Sequence, residues 1–555
     1  MPRRRLYLGR AAAGAAHESN LSPPAMPSAA ARDLLVLGGR IHVLGAHAPV
    51  EALLARGGRV VALGSEREVR AAALPGAEVL ALHGATATPG LTDAHVHLST
   101  WALARRRVEL HAARSLDEGL ARIRAYAERH AGGWVLGGGW DLHRWGGLPT
   151  RAPLDALLPD RPALFDSHDL HAVWLNSAAL AACGLTRDTP DPEGGRIVRD
   201  PAGEPTGVLL DNAMPLAYAH RPQPSPAELQ DALADAQAAL HAWGVTGVHS
   251  VEPTGFADFE ALRQAGRLRL RVLQSVALDR LDAALALGLR SGFGGEWLRV
   301  GGVKLFLDGA LGSRTALLSE PYEGETEYRG IETLPPAEFR AVVERAARGG
   351  LAATAHALGD AAVERALDVL GNVPAPAALP HRIEHLQLCP PALWARAGRA
   401  GIVGSMQPVH LLSDIPAAER HWGHARSRGA YAFAPLLAAG MTLAFGSDVP
   451  VETPDPRAGL YAAVRRVGWD DGPQVPDWFP EHRLGAEQAL RAYTEGPALA
   501  AGAADWQGRL LPGYAADLAV WERDPLACPP EALRTLRCLA TVVAGEVVHH
   551  AEDGR

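Results

Sequence analysis

The sequence predicts an α/β protein built on a parallel (β/α)8 barrel of the TIM type, with a small β-sheet domain contributed by both chain ends. Eight apolar runs carry this expectation. They end near His97, Ser250, Ala277, Asp308, His356, Leu388, His410 and Asp448, and they alternate with Ala-, Leu-, Arg- and Glu-rich helical stretches. Most successive ends fall roughly 25 to 50 residues apart, the repeat of βα units whose strand C-termini carry the chemistry. Short strands separated by Gly-containing turns flank this region on both sides.

Taken in order, residues 1–32 are expected to form a disordered extension. Arg3, Arg4 and Arg5 before an Ala-rich run loosely resemble a twin-arginine signal. The run is short and weakly hydrophobic, and Met26 offers an alternative start. From residue 33 to 89, Leu34-Leu-Val-Leu-Gly-Gly-Arg-Ile, Arg59-Val-Val-Ala-Leu-Gly and Val79-Leu-Ala-Leu read as strands of one small sheet unit. The same texture returns after residue 507, so 33–89 and 500–555 are expected to pair into one domain, with the barrel over 90–499. The first two strand ends are about 150 residues apart. Within that gap a Trp-, Gly- and Pro-rich stretch at about 131–222 reads as a lid-like insertion.

Composition narrows the function. The chain has 555 residues, 48% hydrophobic and 21% charged, which suits a globular protein of two or three folded units. A net charge of -8 without a long basic run leaves no electrostatic footprint for nucleic acid. No stretch reaches the roughly 18 apolar residues of a membrane span. The expected partner is a small molecule, with a homo-oligomer left open. Cys183, Cys389, Cys528 and Cys538 lie far apart and form no close metal-binding pair, as expected of reduced packing thiols in a cytoplasmic protein.

Of 54 basic residues only Lys304 is a lysine. A chain that uses arginine at every other positive position meets its ordinary needs without an ammonium group. Lys304 therefore becomes a candidate for chemistry that a guanidinium cannot perform, such as losing a proton or carrying a carboxyl group from CO2. Its setting, Val300-Gly-Gly-Val-Lys304-Leu-Phe-Leu-Asp308-Gly, reads as a buried strand running into a loop. Burial favours the neutral amine that carboxylation requires.

The strongest local motif is Pro89-Gly-Leu-Thr-Asp-Ala-His95-Val-His97. Strand alternation sends residues i and i+2 to one face, so His95 and His97 can offer two imidazoles to one ion. Thr354-Ala-His356-Ala ends one later run, Arg382-Ile-Glu-His385 ends the next, and Gly446-Ser-Asp448-Val-Pro follows the last. Each alone also fits a structural histidine or a helix cap. Together, four imidazoles, a carboxylate and a potential carbamate suit two borderline ions such as zinc. Asp93 alternates onto the ligand face as a supporting group, and Asp308 is expected to shape the turn after its strand. His168, His249 and His410 lie near strand ends or in the insertion and receive no role.

These motifs resemble the amidohydrolase superfamily, and within it the YtcJ-like branch that includes N-substituted formamide deformylase. Gly139-Trp140-Asp141 with Trp145, His171-Ala-Val-Trp-Leu-Asn-Ser-Ala-Ala-Leu180 and Lys304-Leu-Phe-Leu-Asp-Gly-Ala-Leu-Gly-Ser-Arg314-Thr-Ala316 extend the likeness, which runs from about 33 to 548. The resemblance implies a barrel plus a composite β-sandwich built from both chain ends. It implies that His95 and His97 hold the more buried of two divalent ions, His356 and His385 the more exposed one, and Lys304 bridges them as a carbamate. Asp448 would bind metal and shuttle protons as general base and then general acid. The implied activity is hydrolysis of a carbon–nitrogen bond, in an amide or a formamide-like small molecule. Trp140, Asp141, His171 and Arg314 are the candidates for the substrate pocket. A cyclic amide or ester hydrolase, a deaminase and a non-catalytic metal-stabilised scaffold remain as alternatives.

Overall fold

The computed structural model describes residues 7–8, 33–45, 47–142, 144–167, 172–192, 195–252, 255–469, 471–472 and 474–551. Its central sheet holds eight strands: β1 (Leu91–Val96), β2 (Val245–Ser250), β3 (Arg271–Ala277), β4 (Leu298–Phe306), β5 (Ala353–Ala357), β6 (Arg382–His385), β7 (Val403–Met406) and β8 (Thr442–Phe445). Each neighbouring pair from β1 to β8 runs parallel. Just beyond their ends β1 and β8 meet: Asp448 N donates to His95 O at 2.8 Å and His97 N to Val449 O at 2.9 Å. The sheet is thereby a closed (β/α)8 barrel, as the alternating runs predict. Every residue of β1, β2 and β7 is buried, polar ones included, because a parallel strand under helices is covered on both faces. The covering helices are amphipathic. Pro336–Arg348 buries Phe339, Val342, Val343 and Ala346, at helical spacing along one face.

Strand ends differ from the sequence expectation in three places, the eighth run stopping at Phe445 and not near Asp448. The seventh run stops at Met406 and not near His410, because Pro408 lacks an amide donor and opens a 3-10 turn, Pro408–His410. The sixth stops at His385 and not near Leu388. His385 and Leu386 adopt left-handed φ values of 69° and 45°, which ends the ladder.

The N-terminal end of the barrel is sealed by charge and aromatic surface. Arg59, Arg271 of β3 and Arg299 of β4 each place a guanidinium 5.2 to 5.4 Å from the ring centroid of Trp506. Arg271 also grips the buried Asp517 through Nε at 2.5 Å and Nη2 at 3.0 Å.

The chain ends build two five-stranded sheets. One holds Leu34–Leu37, Ala52–Arg56, Arg59–Gly64 and Glu78–Ala81. The other pairs Thr86–Pro89 with the C-terminal strand Leu518–Trp521. Leu34, Val36, Leu53 and Val60 from the first pack with Ala87, Leu518, Val520 and Val542 from the second in one core. Within the predicted extension, Tyr7–Leu8 form an edge strand on Leu63 and Ala62, and the rest of 1–32 lies outside the described residues.

Residues Ser99–Ala236 form a separate compact unit, wider than the 131–222 stretch that composition singles out. The flanks belong to it because Val108–Glu109 pairs with Val135–Trp140 and helix Leu116–Arg129 packs Ile123 into the same core. Its six-stranded sheet is covered on both faces. Trp140, Phe165 and Trp174 lie on one face and Leu164, Val173 and Leu175 on the other, as strand alternation requires. Among the described residues no helix is long and apolar enough to cross a membrane, and all four cysteines are free.

Candidate metal centre

The barrel topology brings the sequence motifs to one end. His95 lies in β1 with His97 just beyond it, Lys304 in β4, His356 in β5, His385 at the end of β6 and Asp448 after β8. In the first motif the residues at i and i+2 reach the same carboxylate. Nε2 of His95 and Nε2 of His97 lie 3.2 and 3.3 Å from the same oxygen, Asp448 Oδ1. The imidazole rings of His95 and His385 are 4.9 Å apart, and those of His356 and His385 4.5 Å. One ligand atom each from His95, His385 and Asp448 fall within 4.8 Å of one another, and all three residues are buried.

The backbone is shaped for this convergence. Asp448 and His385 both take left-handed φ values, 61° and 69°, a costly conformation for residues with a Cβ, and one that concentrates at functional sites. Gly446 passes so close to β1 that a Cβ there would stand 2.5 Å from His95 N, so only glycine fits. Asp93 ties the two strands: Oδ1 accepts from His95 N at 3.2 Å and Ser447 N at 2.9 Å, and Oδ2 from Ser447 Oγ at 2.5 Å. Asp308 shapes the turn after β4 by accepting from the backbone N–H groups of Leu317, Leu358 and Gly359.

Protonation suits a cation. Burial would raise the Asp448 carboxyl, but His95 above all, with His97, outweighs it and holds the group well below the usual carboxylate range. Burial keeps His385 well below the ordinary histidine value and pushes His356 down to about 3, so both stay neutral, as metal ligation requires. His356 turns Nε2 to the Gly309 carbonyl at 3.0 Å, which leaves Nδ1 as its available nitrogen. Lys304 is buried, and burial lowers its pKa to about 8 against the opposing pull of Glu384 and Asp448.

One observation tests whether a metal fits here. Asp448 Oδ1 is buried and makes no hydrogen bond, although two imidazole nitrogens stand close by. An ionised oxygen left without a donor in that position is costly, and a divalent cation between it and the imidazoles removes the cost. The residues present fit the group. Exposure differs from the expected partition, however. His97 is 31% exposed at its side chain while His385 is buried, so the buried cluster joins His95 to His385 and leaves His97 at the outer side.

Several participants carry no role in the sequence reading. Glu384 is fully buried, its Oε2 2.5 Å from His95 Nδ1, and Arg382 Nε reaches its other oxygen at 2.5 Å. His249 Nδ1 accepts from Arg382 Nη1 at 2.9 Å. His410 Nε2 lies 3.8 Å from Asp448 Oδ2. Phe306 exposes half of its surface, with its ring centroid 4.9 Å from Lys304 Nζ and 5.1 Å from the His356 ring.

The expected pocket residues fare differently. Trp140 is fully buried and its indole N–H donates to Phe165 O at 2.8 Å, so it is a core residue of the Ser99–Ala236 unit with no face left for a ligand. Asp141 Oδ1 accepts from Arg144 N at 3.1 Å and caps a turn. Arg314 pairs with Glu325 at 2.5 Å and lies over Tyr322 and Tyr328, which is the salt-bridge reading of that position. His171 lies outside the described residues.

A closed parallel barrel whose strand C-termini gather histidines around an ionised aspartate is the architecture of a metal-dependent barrel hydrolase. The chain belongs to the amidohydrolase family, whose sequence model matches residues 78–549. It is 33% identical to YtcJ of Bacillus subtilis (strain 168), a protein whose name marks it as an amidohydrolase only provisionally, over 84% of this chain and 90% of that protein. It is 30% identical to N-substituted formamide deformylase of Arthrobacter pascens, over 93% of this chain and 94% of that enzyme. Among solved structures, an uncharacterized metal-dependent hydrolase from Pyrococcus horikoshii OT3 superposes with a TM-score of 0.77 at 29% identity, covering 90% of this chain and 99% of that one.

Proposed function

We propose that this chain hydrolyses a carbon–nitrogen bond of a small molecule, in an amide or an N-substituted formamide-like substrate. The observation that carries the reading is Asp448 Oδ1, buried, ionised and without a hydrogen bond between the imidazoles of His95 and His97. His95, His97, His356, His385 and Asp448 would hold two divalent ions, zinc by the chemistry of the donors, with Lys304 as the bridging group. The neutral Lys304 amine adds to CO2 with loss of one proton and becomes an anionic carbamate. Bound there, the ions supply Lewis acidity and lower the pKa of water.

The chain itself handles the proton. Asp448 takes it from the attacking water as the new carbon–oxygen bond forms, and returns it to the nitrogen as the carbon–nitrogen bond breaks. The products are a carboxylic acid and an amine. The half-exposed ring of Phe306 beside Lys304 and His356 offers apolar surface to the hydrocarbon part of such a substrate. Free thiols at all four cysteines support work in a reducing compartment, the cytoplasm.

Metal analysis of the purified protein, paired with a panel of amides, formamides, cyclic amides, esters and aminated heterocycles, tests the reading. Release of acid plus amine supports it, and ammonia release alone makes the enzyme a deaminase. Lys304→Arg is expected to fold, to retain less metal and to lose activity. Full activity in that variant would remove Lys304 from the site.

A further inference from the structure

Strand β6 places Arg382 and Glu384 two residues apart, with side chains only 4% and 0% exposed. A carboxylate at that depth is costly without a partner, and Arg382 supplies one through Nε at 2.5 Å to Oε1. The guanidinium is itself fixed on every side. Nη2 donates to Ala94 O at 2.6 Å and Ser405 Oγ at 2.9 Å, and Nη1 to His249 Nδ1 at 2.9 Å. These contacts come from β1, β7 and β2, so the pair is anchored across the barrel interior. A carboxylate held at that distance by a permanently charged guanidinium is ionised.

An ionised carboxylate only accepts hydrogen bonds. Its free oxygen, Oε2, lies 2.5 Å from His95 Nδ1, so Nδ1 must carry the proton of that bond. The opposite nitrogen of the same ring, Nε2, faces Asp448 Oδ1 at 3.2 Å.

We infer that Glu384 is a positioning residue: anchored by Arg382, it fixes the proton of His95 on Nδ1 and aims Nε2 at the cation position beside Asp448. The inference rests on reading His95 as a ligand. Physically, a ligand imidazole must choose one tautomer and one ring orientation before it binds. A carboxylate behind the far nitrogen makes both choices in advance and raises the basicity of the ligating nitrogen. Glu384 reaches neither substrate nor cation in this role. It acts through His95.

The test compares the wild-type protein with Glu384→Gln and Glu384→Asp. Zinc affinity is measured by chelator competition, and thermal midpoints of the metal-free proteins serve as the control for folding. Glu384→Gln is expected to bind zinc about 10- to 100-fold more weakly, with Glu384→Asp recovering part of the loss. Unchanged zinc affinity in a folded Glu384→Gln protein overturns the inference. Because Arg382 is left unpaired in that variant, a second measurement uses wild-type protein alone. Nitrogen NMR of 15N-histidine-labelled protein, with His95 assigned by its loss in His95→Gln, should show the His95 proton on Nδ1. A His95 whose Nδ1 is bare overturns the inference, with zinc or without it. Wild-type protein that binds no zinc sinks the proposed function instead, and the Nδ1 proton still decides the role of Glu384.

Discussion

The two ends of the barrel use polar groups in opposite ways. At the N-terminal end charge meets charge or ring: Arg271 has Asp517, Arg59 has Glu296, and both guanidinium groups, with that of Arg299, rest on Trp506. At the C-terminal end Asp448 Oδ1 stays without a hydrogen bond beside His95 and His97, and burial keeps the neighbouring His356 and His385 neutral. Strand β6 spans the contrast by itself. His381, just before it, accepts the Ala353 backbone N–H on Nδ1 at 2.9 Å and is spent on structure. His385, at its far end, joins the cluster with His95 and Asp448. Burial and neutrality are common to both histidines, so neither property identifies a functional residue. What separates them is the end of the strand on which they sit and the groups they face there.

That contrast is broken or sharpened by four substitutions. Asp448→Asn should leave the thermal midpoint near wild type and lower kcat by about a thousandfold, the scale of losing a proton-transfer group. A variant retaining most of its turnover would dissolve the distinction between the ends. Asp517→Asn, at the opposite end, leaves the Arg271 guanidinium buried beside a neutral partner. It should cost about 3–5 kcal/mol in urea denaturation and leave the KM of the folded enzyme unchanged.

His381 gives a smaller effect with a defined pH window. Burial pushes its pKa down to about 4, below the ordinary 6.5. The unfolded chain therefore binds the proton more readily than the folded one. The stability linked to His381 is complete above pH 6.5 and is lost as pH falls through 4, up to about 3 kcal/mol. His381→Gln should flatten the urea midpoint over that range, and an unaltered slope would mean that protonation of His381 is not what weakens the fold in acid. Smallest is Glu325→Gln, which releases Arg314 from a pair exposed by more than a third on both sides. Screening by solvent limits the stability change to about 1 kcal/mol or less. A large fall in kcat/KM would return Arg314 to the substrate pocket.

The legible part of this protein is the part encoded by period and position. Alternating apolar runs mark all eight strands, and His95, His97, Lys304, His356, His385 and Asp448 stand at their ends because parallel barrels expose chemistry there. Local pattern says less about where a strand stops. The left-handed turns at His385 and Leu386 are set by contacts from elsewhere in the fold. Tryptophan-rich sequence is a poorer guide to function: Trp140 lies in a motif that resembles the family, yet packing absorbs it completely. Glu384 escapes notice for the opposite reason. Its importance comes from an imidazole 289 positions earlier in the chain, and no local pattern records such a distance.

The seam between the first and last strands has a consequence for biogenesis. Asp93 and His95 are held by Ser447 and Asp448, so two halves of the catalytic end are translated more than 350 residues apart. Until the ribosome has released residue 448, the early histidines have no counterpart to close on. A cation held by this cluster would therefore be loaded late in the maturation of each newly made molecule, after both halves of the seam are present.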